Sequence, residues 1–111
     1  MIETTILDYL LENNIAAYME RPENPPETYV LVEKTGSTAS DLIVTTTFAF
    51  QSYAPSLYEA SCLNEQVKQL LNAADTLTEV SAAALNSDYN YTDSRTKQYR
   101  YQAVYDITHK Q

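Results

Sequence analysis

Apolar residues recur at helical spacing near the start of the chain. Ile6, Leu7, Leu10 and Leu11 share one stripe, so residues 3–13 read as a short helix, with Thr4 or Thr5 as its cap and Asn13-Asn14 as its stop. Residues 15–20 alternate weakly, with Ile15, Ala17 and Met19 on one side, which predicts a short strand. Three prolines within Pro22–Pro26 then forbid helix and central strand alike, so Arg21 to Glu27 reads as an extended connector or arm.

Alternation returns at Thr28–Lys34. Val30 and Val32 share one side and Tyr29 and Leu31 the other, and a strand apolar on both sides is expected inside its sheet. The only glycine, Gly36, is expected to open a polar loop from Thr35 to Asp41, through its freedom at positive φ. Residues 42–53 carry a run of β-branched and aromatic residues and read as a long strand, with Leu42, Val44, Phe48 and Phe50 pointing inward and Thr45, Thr47 and Gln51 outward. Ser56-Leu57-Tyr58-Glu59 has the form of a capping box. Behind it Leu57, Ala60, Leu63, Val67, Leu70, Leu71 and Ala74 repeat at three and four, which predicts an amphipathic helix to about residue 74, lying on the sheet. From Thr78 the period returns to two. Strands around Val80–Leu85 and Tyr99–Ile107 are expected to pair as a hairpin with its turn near residues 92–96.

The expected fold is therefore α+β. It is one domain over residues 1–111, of order α-β-β-β-α-β-β, with a mostly antiparallel sheet and two helices packed on one face. With 111 residues, 44% of them hydrophobic, the chain has material for one modest core. No apolar run approaches the roughly 18 residues that cross a bilayer. The start Met1-Ile2-Glu3-Thr4-Thr5 does not have the form of a signal peptide, and synthesis in the cytosol is expected.

Charge divides the chain. Residues 1–66 hold ten acids against Arg21 and Lys34, whereas residues 67–111 hold five acids and five bases, for a net charge of −8. Free nucleic acid is a poor ligand for such a chain, because phosphate neutralisation needs clustered bases. The excess acid serves solubility, or, in a ring, it lines a lumen that repels passing DNA.

Sites of chemistry are sparse. The lone Cys62, inside the long helix, reads as a small buried hydrophobe. His109, the only histidine, reads as part of a frayed tail and a poor place for a catalytic triad. One glycine makes no phosphate loop, and neither a zinc set nor a calcium loop is visible. No catalytic, cofactor-binding or metal-binding residue is assigned and an enzyme is not expected, nor is a cofactor.

Ten tyrosines are the unusual feature. Five of them, Tyr89, Tyr91, Tyr99, Tyr101 and Tyr105, fall in the last hairpin, and alternation puts Tyr99, Tyr101 and Tyr105 on one side. Tyrosine suits surfaces that become buried in a complex, but cross-strand packing within the sheet accounts for it equally well. Arg95, Lys97 and Arg100 lie among these rings. Contact between this basic hairpin and the acidic N-terminal part of another copy would be head-to-tail, and such contacts close into rings when the rotation permits.

Taken together, the helix and strand leading into MERPENPPETYVLVEKTGS, the strand–helix junction LIVTTTFAFQSYAPSLYEAS and the aromatic hairpin SRTKQYRYQAVYDI resemble the tail-terminator, or tail-completion, proteins of long-tailed bacteriophages and prophages. The resemblance spans nearly the whole chain and is carried by these structural motifs. It implies an α+β subunit that forms a hexameric ring on the head-proximal end of the tail tube, stops tube growth and offers the surface for head joining. The implied partners are other copies of the chain, the tail-tube protein and a head–tail connector protein, in the neck of a virion made in the bacterial cytoplasm. Neither a membrane nor sequence-specific nucleic acid is implied, although DNA would pass through the ring. The contact elements it implies are Arg21 to Glu27, Thr35 to Asp41 and Asn86 to Tyr101, with Arg21, Pro22, Pro25, Pro26, Gly36, Arg95, Lys97, Tyr99, Arg100 and Tyr101 as interface residues. Another connector or minor virion protein of the neck is the near alternative. A small cytosolic protein-binding module is the alternative of another class.

Overall fold

A computed structural model describes residues 1–110. Helix α1 spans Ile2–Glu12 and buries Ile2, Ile6 and Leu10. It starts earlier than its polar residues suggested. Thr4 and Thr5 therefore lie within the first turn, where their hydroxyls donate back to the Met1 carbonyl at 2.9 and 3.1 Å instead of capping. The Asn13-Asn14 stop is a Schellman ending. Asn14 takes φ 66°, its N–H donates to Leu11 O at 3.1 Å, and the Ile15 N–H reaches Leu10 O at 3.0 Å.

Only Ala17–Tyr18 (β1) of the first predicted strand pairs, and it does so parallel to β2, Tyr29–Ser40. The expected loop at Thr35 to Asp41 is instead mostly strand. Residues 36–40 pair antiparallel with β3, Ile43–Tyr53, after a register shift at Thr35. Gly36 has no positive φ, and the chain reverses at Asp41, at φ 58°, and Leu42. Short polar residues such as Ser37 and Thr38 resemble a loop in sequence, but here cross-strand pairing sets their conformation. Leu42, expected inward, sits in this turn and is 74% exposed.

Helix α2, Leu57–Asn72, begins at Ser56, whose Oγ accepts from the Glu59 N–H at 3.1 Å and donates to the Glu59 carboxylate at 2.9 Å. Ala60, Leu63, Val67 and Leu71 face the core. Leu57 is exposed and Leu70 half-buried, so the buried stripe is narrower than its periodicity implied. Cys62 lies on the outer face of α2 and is exposed, not buried, because it sits one residue off the Leu63 side of the turn. A short 3-10 turn at Ala74–Thr76 leads to β4, Val80–Asn90, and then β5, Arg100–Lys110. The turn between β4 and β5 covers residues 94–97 and is closed by an Asp93–Gln98 bridge.

The five strands form one sheet of order β1-β2-β3-β5-β4, antiparallel except at β1–β2. Val30, Val32, Phe48, Phe50, Ala103, Tyr105 and Ile107 point to one side, where Ile6 and Leu10 of α1 and Val67 and Leu71 of α2 complete a single core. The fold is thus α+β with both helices on one face. Tyr105 is fully buried there, and its hydroxyl donates to Asn72 Oδ1 at 2.8 Å. His109 is no frayed residue. It lies within β5, 9% exposed, with Nε2 2.8 Å from the Thr46 hydroxyl and Nδ1 2.9 Å from the Lys110 carbonyl.

Candidate assembly interface

Strand register places β2's start, β3's end and β5's start at one end of the sheet. Tyr29 is thereby paired with Tyr53, and Tyr53 with Arg100. All three side chains point to the face opposite the helices. Tyr29 and Tyr53 stack with ring centres 4.7 Å apart and planes 3° from parallel, and Tyr18 meets Tyr29 edge-on at 6.3 Å. Arg100 holds this group to the last hairpin. Its guanidinium donates to the Tyr53 hydroxyl and to the Tyr91 carbonyl, both at 2.7 Å, and lies 4.5 Å from the centre of the Tyr91 ring. Tyr91 in turn meets Tyr89 edge-on.

The polar array continues across the sheet. Tyr53 Oη donates to Gln51 Oε1 at 3.2 Å, Gln51 Nε2 donates to Gln102 Oε1 at 2.9 Å, and Gln102 Nε2 donates to the Tyr89 hydroxyl. Farther along, Asp106 accepts from Thr47 Oγ1 at 2.6 Å and Asn86 Nδ2 at 3.0 Å, and these bonds lower its pKa below the usual carboxylate value. Both helices pack on the other side, so this face, with Gln51, Gln102, Thr47 and Asp106 beside the tyrosines, has no described helix across it.

At the end of that face the proline-rich segment and the hairpin turn border a cleft of about 230 Å³. Arg21, Pro25, Pro26, Lys97 and Tyr99 line it together with Glu27, Tyr29, Tyr53 and Pro55. Five predicted interface residues are thus brought together. Burial raises the pKa of the Tyr29 hydroxyl, while the nearby Arg21 and Arg100 guanidinium groups act to lower it. Arg95 is exposed in the adjoining turn, where its N–H donates to Asp93 Oδ1 at 3.0 Å, and this bond is the main cause of a lowered Asp93 pKa. Four of the seven bases therefore gather at one end. Among the described residues the salt bridges join Lys34 to Glu3 and Lys68 to Glu65 and Asp88, and none involves these four.

The remaining predicted residues lie elsewhere or are otherwise engaged. Pro22 is half-buried beside the cleft, outside its lining. Tyr101, paired with Ser52 and Asn90, points to the helix side. Gly36 lies toward the other end of β2 in a shallow depression with Thr38, Thr45 and Asp106. Arg100 is tied to its own chain. In the sequence Tyr89 stands out only as one of the five hairpin tyrosines, and Tyr29, Tyr53 and Gln102 do not stand out as interface residues, because only register places these four near one another.

At the opposite end, on the helix side, a groove of about 650 Å³ is lined by Ile2, Glu3, Lys34, Val44, Glu79 and His109, among others. Among the described residues no cluster of three or more His, Cys, Asp or Glu side chains has the geometry to hold a metal ion. Among the described residues no helix is long and apolar enough to cross a membrane. Comparison of the sequence with protein-family models and with curated proteins gives no match.

Proposed function

We propose that this chain is a structural subunit of a phage virion, of the tail-terminator type, which assembles as a ring on the head-proximal end of the tail tube, halts tube growth and offers the head-joining surface. The observation that carries the reading is the sheet end built from Arg21, Lys97, Tyr29, Tyr53 and Arg100. It gathers bases that form no salt bridge among the described residues, in a chain of net charge −8, beside the sheet face opposite the two helices. Arg100 and the buried Tyr29 and Tyr53 hold this end together, and the exposed cations Arg21 and Lys97 beside them suit contact with an acidic neighbour. The resemblance of the sequence to tail-terminator proteins supplies the particular role. Its partners would be further copies, the tail-tube protein and a head–tail connector, and its place the neck of the virion.

Light scattering on the purified chain, alone and with polymerising tail-tube protein, tests this. A ring of several copies, or tubes capped and shortened by the protein, is the expected result. Tubes of unchanged length and number reject the terminator role. In that case the cleft favours the second reading, a protein-binding module, since its proline and tyrosine walls suit an extended peptide. Binding to the connector protein with no effect on tubes would move the chain to another position in the neck.

A further inference from the structure

The basic cleft has a counterpart of opposite charge on the same chain. On α1, Asp8, Leu11 and Glu12 fall on one outward stripe, and all three are exposed, Leu11 by 47%. The stripe is electrostatically unfavourable where it stands. Asp8 and Glu12 are like charges at i, i+4, which repel along a helix. Glu12 also occupies the last turn, which contains no base, so it opposes the helix dipole. Among the described residues neither carboxylate takes part in a salt bridge. The cleft has the opposite net sign: the cations Arg21 and Lys97 outnumber the one acid of its lining, Glu27, around a pit walled by Pro25, Pro26 and Tyr99.

We propose that the cleft of one copy receives the α1 stripe of a second copy. Leu11 enters the pit between the prolines and the tyrosines, and Asp8 and Glu12 meet Arg21 and Lys97. Charge and shape both match: an apolar side chain flanked by two acids faces a pit of proline and tyrosine rings whose two bases outnumber its one acid, Glu27. Each half is unfavourable or unneutralised alone, and both are relieved by the same contact. A dimer held by one such contact is heterologous and leaves a free stripe at one end and a free cleft at the other. Such a contact propagates until it closes. The proposal rests on the ring-assembly reading but specifies its subunit contact, and the two fail separately.

The test uses three variants of the full chain: Arg21→Glu/Lys97→Glu, Asp8→Lys/Glu12→Lys, and the fourfold variant carrying both pairs. The altered side chains are exposed. Circular dichroism checks the fold, and sedimentation equilibrium measures self-association at low salt and in about 0.5 M salt, where exposed charge pairs are screened. The wild type is expected to associate at low salt and to weaken at high salt. Each double variant should associate at least about tenfold more weakly. The fourfold variant, in which the charges are exchanged, should recover to within about threefold of wild type. Leu11→Ser alone should also weaken association. A wild type that stays monomeric at low salt, a double variant that associates like wild type, or a fourfold variant no better than the doubles overturns the proposal. So does a duplex oligonucleotide that competes for the cleft, which would assign these bases to phosphate. Self-association through this contact without any effect on tail tubes would uphold the contact and reject the terminator role. Tube capping by an obligate monomer would do the reverse.

Discussion

Removing the Arg100 guanidinium should loosen the end of the sheet that carries the cleft. In Arg100→Ala the Tyr53 hydroxyl and the Tyr91 carbonyl each lose a charged donor at 2.7 Å, and the Tyr91 and Tyr53 rings lose a cation at 4.5 and 5.6 Å. A hydrogen bond from a charged group contributes about 1.5–3 kcal/mol when well shielded, and a cation over an exposed ring about 0.5–1 kcal/mol. Arg100 is only half-buried, and water competes for it once the contacts open. The discounted loss is about 2–4 kcal/mol, which for a domain of this size lowers Tm by roughly 8–16 °C. Urea unfolding followed by tyrosine fluorescence gives the stability, and hydrogen exchange at residues 93–99 shows whether the loosening is local. A double-mutant cycle with Tyr53→Phe isolates the shared bond and should return a coupling of about 1 kcal/mol. Arg100→Ala within about 0.5 kcal/mol of wild type would refute the reasoning, because the guanidinium would then be an idle surface group. Wild-type stability with lost assembly would instead move Arg100 into the subunit contact.

Other perturbations test separate parts of the structure. Val67→Asp places an unpaired charge in the core and should abolish the folded state, while Leu70→Asp, at a half-buried position, should leave a folded but weakened protein. Thermal melts rank the two, and equal effects would mean that the helix is rotated from its described phase. Gly36→Ala should be neutral or stabilising by up to about 1 kcal/mol, since Gly36 has no positive φ and an added Cβ meets no atom within 4 Å; a large loss in urea midpoint would contradict this. Asp106→Asn should destabilise at neutral pH. The native bonds lower the Asp106 pKa, so its contribution is present above the unfolded value near pH 4 and disappears as pH falls through the lower folded value. The gap between variant and wild type should therefore narrow in acid melts below about pH 4, and a gap that widens there would reverse the sign.

The sequence by itself determined the element order and most of the packing. A period of two at Phe48 and Phe50, a period near 3.6 at Leu63, Val67 and Leu71, and the serine cap at Ser56 are local signals, because each records which side of one element meets the core. The proline-rich segment was legible for the same reason, since proline limits its own backbone. Tertiary structure decided what depends on pairing between distant residues. Residues 36–40 became strand because β3 offers them partners, which their polar side chains do not disclose. His109 became buried because β3 and β4 flank it on both sides at Val44 and Val80. Cys62 and Leu57 faced outward because one helix turn has room for few inward positions. The candidate site followed the same rule. Arg21, Lys97 and Tyr99 were individually conspicuous, but that they border one cleft with Tyr29 and Tyr53 depends on antiparallel register, a long-range property that no window of sequence contains.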